Sequence, residues 1–252
     1  MRSFEELLES VLSPRMRRYP REIPMRMSRI AYGIATLLLL ATGVALAHNV
    51  DEAAQQYLAS NVGAQIAPFI YLGAKHMVTG YDHLLFLVGV IFFLYRLKDV
   101  ALYVTLFAVG HSSTLLIGVL GAVRVNPFII DAIIGLSVVY KAFDNLDGFR
   151  RLFGFEPEPR LAVLIFGFFH GLGLATKLQE LKLSDEGLVA NMVSFNVGVE
   201  IGQFLALGVI LIAMNYWRRS ASFLRHAASV NVALMSAGFA LAGYQLTAYA
   251  VA

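Results

Sequence analysis

Histidine, carboxylate, hydroxyl and amide side chains recur at five places within apolar sequence. They are His76, Asp82 and His83; His111 and Ser112; Asp131, Asp144 and Asn145; His170; and Asn196 and Glu200. Imidazole nitrogens and carboxylate oxygens are ligands for divalent transition metals. An ionisable group at membrane depth is costly, so it usually faces the protein interior and has partners there. These residue types in this setting predict a buried metal site.

The first group, in KHMVTGYDHLLFL, has the most informative spacing. His76 and His83 are seven residues apart, so a continuous helix would place both on one face. Asp82 would point about 100° away from His83. It could serve a second ligand position or accept a ring N–H from a coordinating histidine.

The absence of cysteine limits the chemistry of such a site. The sequence contains no cysteine, which excludes disulfides, thiolate ligands and a cysteine nucleophile. The remaining donors suit a divalent metal ion such as nickel, zinc, iron, copper(II) or manganese better than copper(I). No basic patch interleaves with aromatic residues, so we expect no nucleic-acid partner.

Long apolar segments must position these residues. The chain has 252 residues, of which 58% are hydrophobic and 15% charged. Several apolar runs reach the roughly 20 residues that cross a bilayer core. Beyond residue 47 we predict six of them, at 66–95, 99–121, 126–145, 161–178, 188–215 and 229–251. The predicted fold is an all-α, polytopic transmembrane bundle, and the bilayer is its first partner. Gly73 or Gly80 could break the long first segment.

Residues 1–47 have two interpretations. A basic head with seven arginines precedes an apolar stretch, 30–47, which ends Ala45-Leu46-Ala47. This pattern is typical of a signal peptide with a small-x-small cleavage site. An uncleaved first helix fits equally well. The bundle then has six helices after cleavage or seven without it, and residues 48–252 form the six-helix transmembrane domain.

Basic residues predict the orientation. They are concentrated in the head, at 96–98, at 141–160 and at 218–225, whereas the alternate connections are poorer in them. Because cytoplasmic loops carry an excess of lysine and arginine, we expect the basic loops inside and the C-terminus outside. The expected location is the bacterial inner membrane.

Four ligand candidates lie at a similar depth. His83, His111, His170 and Glu200 each fall near the middle of their segment. A bundle that turned them inward would bring three imidazoles and a carboxylate to one divalent ion. Asp131 would lie nearer the outside, and Asp144 with Asn145 nearer the cytoplasm. Any single histidine could instead make only an interhelical hydrogen bond, but their joint occurrence favours a metal site.

Small residues flank two of these positions. Gly167 and Gly171 surround His170, and Gly198 and Gly202 surround Glu200. Pairs of this small-x3-small type let helix backbones approach closely. They could equally serve contacts within one chain or between copies in a homo-oligomer.

The motifs resemble those of the HupE/UreJ family of hydrogenase and urease accessory membrane proteins. The match runs through His76-x5-Asp82-His83, Ala108-Val109-Gly110-His111-Ser112, Phe169-His170-Gly171-Leu172-Gly173 and Phe195-Asn196-Val197-Gly198-Val199-Glu200. The resemblance implies a small helical membrane protein linked to nickel permeation and to hydrogenase or urease maturation proteins. It carries over six metal positions: His76, Asp82, His83, His111, His170 and Glu200. The single histidine in FHGLGLA resembles a second branch of the family, since the better-known nickel permeases have two there.

The sequence is compatible with three functions. The first is a divalent-metal permease, with nickel implied by the resemblance. The second is a membrane-embedded metal-dependent hydrolase or oxygenase, in which Asp82 or Glu200 would be a general base. The third is a structural or assembly protein whose polar network fixes helix packing. The sequence has no P-loop motif, so transport would be passive or ion-coupled.

Overall fold

The described chain is built from α-helices. A computed structural model describes residues 63–180 and 185–252, and no strand occurs in these ranges. The helices are α1 (Ile66–Thr79), α2 (Tyr81–Ile91), α3 (Leu97–Leu120), α4 (Pro127–Asn145), α5 (Gly148–Phe153), α6 (Pro159–Glu180), α7 (Leu188–Arg218) and α8 (Ala221–Val251). The predicted all-α bundle is confirmed. The predicted signal segment, 1–47, lies outside the described residues.

Four helices are long and apolar enough to cross a membrane. They are α3, α6, α7 and α8, while α2 is a shorter apolar helix. In α4 three charged residues, Asp131, Lys141 and Asp144, interrupt the apolar sequence. Because several helices of one chain have spanning length, the protein is a multi-pass membrane protein.

The first predicted segment is broken at Gly80. This glycine has an extended backbone (φ −70°, ψ 100°) between α1 and α2. A side chain there would be crowded, because an added Cβ would lie 2.7 Å from His83 Nδ1 and 3.1 Å from Asp82 Oδ1. Because the helix is not continuous, the shared face that a continuous helix would give His76 and His83 does not apply, and the alternative of a break at Gly80 is the one observed. Of the two glycines that could break the segment, Gly73 lies inside α1.

Three close helix pairs form the bundle. They are α3 with α6, α1 with α7, and α4 with α8, and α4 also contacts α2 and α6. An added Cβ on Gly171 would meet the His111 carbonyl, and one on Gly198 would meet the Ile70 carbonyl. The prediction that the small-x3-small pairs allow close backbone approach is confirmed, and both pairs act within the chain.

The segment 146–160, predicted to be a loop, contains a short helix. In α5 and after it, the rings of Phe149, Phe153 and Phe155 lie 6.1 to 6.3 Å apart. Phe149 also contacts Phe143 at the end of α4, with ring centroids 4.8 Å apart. Aromatic contacts that the apolar pattern does not encode therefore order this connection.

The polar site lies between two apolar clusters. One contains Phe86 and Phe107 together with Trp217, and the other contains Phe195 and Met192. The His170 ring centroid is 5.0 Å from that of Phe107, and the His76 centroid is 6.3 Å from that of Phe195. Aromatic side chains of both clusters therefore pack against the imidazoles.

Candidate metal centre

Four histidines, each from a different helix, lie close together, with His83 at the centre. Ring centroids lie 5.0 Å from His83 for His76, 6.1 Å for His111 and 4.9 Å for His170. His76 comes from α1, His83 from α2, His111 from α3 and His170 from α6. The break at Gly80 makes this possible, because it lets the chain change direction between the first two histidines.

Three of these histidines are buried and His76 is partly buried, and ring nitrogens of all four lack hydrogen-bond partners among the described residues. His83 is 3% exposed, His111 0% and His170 1%. Five buried ring nitrogens have no hydrogen-bond partner among the described residues: His76 Nε2, His83 Nε2, His111 Nδ1, His111 Nε2 and His170 Nδ1. Since buried polar atoms are normally satisfied, so many unpartnered nitrogens in one place need an explanation. A metal ion is one kind of partner that imidazoles accept.

Asp82 supports His83 directly. Its Oδ1 lies 3.0 Å from His83 Nδ1. A carboxylate on one ring nitrogen fixes the tautomer and leaves the other nitrogen, here the buried Nε2, to face a ligand. One ligand atom each from Asp82, His83 and His170 lie within 4.8 Å of one another, so these three residues could hold a metal ion.

Two hydroxyl groups near the cluster were not predicted from the sequence. Ser137 of α4 lies 3.5 Å from His170 Nε2 and donates a hydrogen bond to the Ile134 carbonyl at 2.7 Å. Thr114 donates to the Phe168 carbonyl at 2.8 Å, which joins α3 to α6 beside His111 and His170. Nothing in the sequence separates these hydroxyls from those that bond only to their own helix.

The structure does not bring Glu200 to the histidines. Its side chain is exposed on the outer face of α7, although the neighbouring Asn196 and Gln203 are buried. Asn196 donates to the Met192 carbonyl of its own helix at 3.0 Å. Ser112 follows His111 on α3, and its buried hydroxyl has no partner among the described residues.

The carboxylates predicted along a path are in ion pairs. Asp131 accepts from Lys177 Nζ at 2.9 Å, and Asp144 accepts from Lys141 Nζ at 2.5 Å. Asn145 donates to the Gly89 carbonyl and to Asn231 Oδ1, both at 2.9 Å, so it ties α4 to α2 and α8. Asp131 and Asp144 are therefore already neutralised, each by a lysine that the sequence reasoning had not connected with it.

A small cavity adjoins His83. Most of its lining is apolar, and its polar contributors include His83, Tyr103 and Gln203. The Gln203 side chain is buried, and its Nε2 has no hydrogen-bond partner among the described residues. Gln203 is therefore a polar residue of α7 that lines the same cavity as His83.

The fold and site together define a polytopic helical membrane protein with a buried histidine–aspartate cluster. The family model for HupE / UreJ protein matches residues 52–252, which is most of the chain. The chain therefore belongs to the HupE/UreJ family, as its motifs predicted. No curated protein and no solved structure matches it.

Proposed function

We propose that this protein is a divalent-metal permease that carries Ni²⁺ across the bacterial inner membrane. The observation that carries the proposal is the group of buried, unpartnered imidazole nitrogens around His83, beside the Asp82 carboxylate. A structural network that only fixed helix packing would pair these nitrogens with one another or with the backbone.

Asp82, His83 and His170 provide the central binding position. Their ligand atoms are close together, and the carboxylate offsets part of the ion's charge in a low-dielectric surrounding. The His76 and His111 rings, which have unpartnered nitrogens, lie 5.0 and 6.1 Å from the His83 ring, so an ion can exchange one imidazole for the next. Conduction needs such alternatives, because a site must bind well enough to replace water yet weakly enough to release the ion.

The orientation completes the proposal. The end of the bundle with Arg96, Arg150 and Arg219 would face the cytoplasm. Asp131 then lies on the outer side of the histidines and Asp144 on the inner side. Nickel is the proposed cargo because the donors are imidazole and carboxylate and because the family is linked to nickel.

Uptake of radiolabelled Ni²⁺ into proteoliposomes tests the proposal. We expect uptake by the wild type, and its loss in His83→Ala and His170→Ala. His226→Ala is the matched control, since His226 lies near the start of α8 and bonds to Ser222 one turn earlier on the same helix. Uptake that persists at the wild-type rate in the folded His83→Ala variant would contradict the permease.

Elemental analysis before and after chelation separates permeation from catalysis. A permease should bind added Ni²⁺ reversibly through the same histidines. About one metal ion per chain that survives chelation would instead favour the membrane-embedded enzyme, because a resident catalytic metal is held by several protein ligands with one position left open for water or substrate.

A further inference from the structure

Asp131 sits in a clamp formed by three helices. Lys177 of α6 places its Nζ 3.1 Å from Oδ1 and 2.9 Å from Oδ2 of this carboxylate. Gln245 of α8 donates to Oδ2 at 3.3 Å. Both carboxylate oxygens therefore already hold a donor, and one donor carries a full positive charge.

The clamp lies beside the histidine cluster. Lys177 follows His170 by seven residues on α6, so the two share a face about 10 Å apart along the axis. Asp131 Oδ1 lies 3.7 Å from the position of an added Cβ on Gly173, which is three residues from His170 on α6. A cation at Asp131 would thus be about one helical turn from His170.

Gly173 makes the clamp possible. It lies between His170 and Lys177 on α6, and an added Cβ would meet Ile130 Cγ2 at 2.9 Å and Asp131 Oδ1 at 3.7 Å. Without a side chain there, α4 approaches α6 closely enough for Asp131 to reach Lys177. The pairing is therefore built into the backbone packing and is not a chance surface contact.

Lys177 is more exposed than Lys141, so its ammonium can leave its aspartate partner more readily. Its side chain is 30% exposed, whereas those of Lys141 and Asp144 are 7% and 8% exposed. A lysine ammonium is a compact charge on a flexible four-carbon stem, so a partly exposed one can swing toward water. The Lys141 stem, by contrast, lies against α2, since an added Cβ on Gly89 would be 3.2 Å from Lys141 Cγ.

We propose that Lys177 is a tethered cation that competes with the incoming divalent ion for Asp131. The inference rests on the proposed permease and identifies its regulated first binding position. The arriving ion displaces the ammonium from Asp131 and then moves on to Asp82 and His83. Once the ion has moved to Asp82 and His83, the Lys177 ammonium pairs with Asp131 again. In the absence of an ion, the ammonium keeps the carboxylate neutralised and repels other cations from the cluster.

Ni²⁺ uptake into proteoliposomes, measured over a range of external concentrations, tests this proposal. Lys177→Gln should lower the half-saturating Ni²⁺ concentration about ten-fold, because one charge-assisted hydrogen bond no longer has to be broken. Lys177→Arg keeps the charge and can bind both Asp131 oxygens, so it should not lower the half-saturating concentration. Lys98→Gln is the matched control, since it removes an exposed lysine at the start of α3.

Asp131→Asn tests the same pair from the other side and needs no change at Lys177. Asp131→Asn should raise the half-saturating concentration, because it leaves the ammonium without its carboxylate. Adding Lys177→Gln to it should then change less than the two single effects combined, since the residues act as a pair. Equal half-saturating concentrations in Lys177→Gln and Lys98→Gln, or wild-type uptake in Asp131→Asn, would overturn the tethered-cation role.

The same vesicles separate the two proposals. If wild-type uptake is absent, or unchanged in His83→Ala, the permease itself fails. If uptake depends on His83 but not on Lys177 or Asp131, the permease stands and only the tethered cation is rejected.

Discussion

At the residue scale, His83 is the centre of the site because it has neighbours of two kinds. Asp82 binds its Nδ1 at 3.0 Å, while three other imidazoles surround the ring. The carboxylate keeps Nδ1 occupied, so Nε2 is the nitrogen available to a metal ion. The contribution of Asp82 is therefore both charge and orientation, and substitution can separate the two.

Asp82→Asn retains an oxygen that can accept the His83 N–H but removes the negative charge. We expect Ni²⁺ affinity to fall about 10- to 100-fold, the range found when a carboxylate behind a ligating histidine is changed. Equilibrium dialysis of the purified protein measures the affinity. Asp185→Asn, in an exposed connection, controls for the loss of one carboxylate. Equal affinities in the two variants would show that Asp82 does not support the ligand.

Glu200→Gln should leave the number of Ni²⁺ ions bound per chain unchanged. The family resemblance implied that Glu200 is a metal ligand, but its side chain is exposed on the outer face of α7. Elemental analysis of the protein after loading with Ni²⁺ measures the stoichiometry. A lower value in folded Glu200→Gln would mean that the carboxylate reaches the cluster in a state other than the one described.

The sequence predicted that His83, His111 and His170 would lie together, as they do, but it could not predict how each helix is rotated about its axis. Buried and exposed apolar residues alternate along α7, as at Val199 and Ile201, because both the core and the lipid accept them. An apolar helix in an apolar solvent has no polar face to mark the outside. The sequence prediction therefore grouped Glu200 with His83 and His170 only because each lies near the middle of its apolar segment.

At the element scale, helix packing determines whether the histidines meet. His76 is carried by α1, which packs along α7 through Gly73, Gly198 and Gly202. His111 and His170 are carried by α3 and α6, which pack through Gly110, Gly167 and Gly171. The sequence predicted close approach at the glycine pairs but not which helices they join, because a small-x3-small pattern does not specify its partner.

Gly198→Ala should destabilise the bundle and displace α1. The new Cβ would meet the Ile70 carbonyl, and such overpacking costs about 1–3 kcal/mol of the free energy of unfolding. Thermal unfolding in detergent measures the loss. Gly208→Ala is a matched control on the same helix, since nothing lies within 4 Å of its added Cβ. That substitution should be neutral or slightly stabilising, because alanine favours a helix over glycine. Equal melting temperatures would contradict the close α1–α7 contact.

At the scale of the whole molecule, hydrogen bonds tie the helices together at two ends. Gln179 near the end of α6 donates to the Gly118 and Val123 carbonyls at the end of α3, at 3.1 and 3.0 Å. At the other end, the Arg218 guanidinium of α7 donates to the Ile91 and Phe92 carbonyls that follow α2. The C-terminal ends of α3 and α6 therefore lie together at one end of the bundle, and the C-terminal ends of α2 and α7 lie together at the other.

The absence of native cysteine makes the sidedness of these ends directly testable. Single cysteines can be placed at Arg124 and Asp185 for one end and at Arg219 for the other, all exposed positions. In spheroplasts, a membrane-impermeant maleimide should label Arg124→Cys and Asp185→Cys at once, but Arg219→Cys only after permeabilisation. The reason is the excess of lysine and arginine at the Arg219 end, which retains that end in the cytoplasm. The opposite labelling would place Asp131 and Lys177 on the cytoplasmic side, and the tethered cation would then control release of the ion instead of its capture.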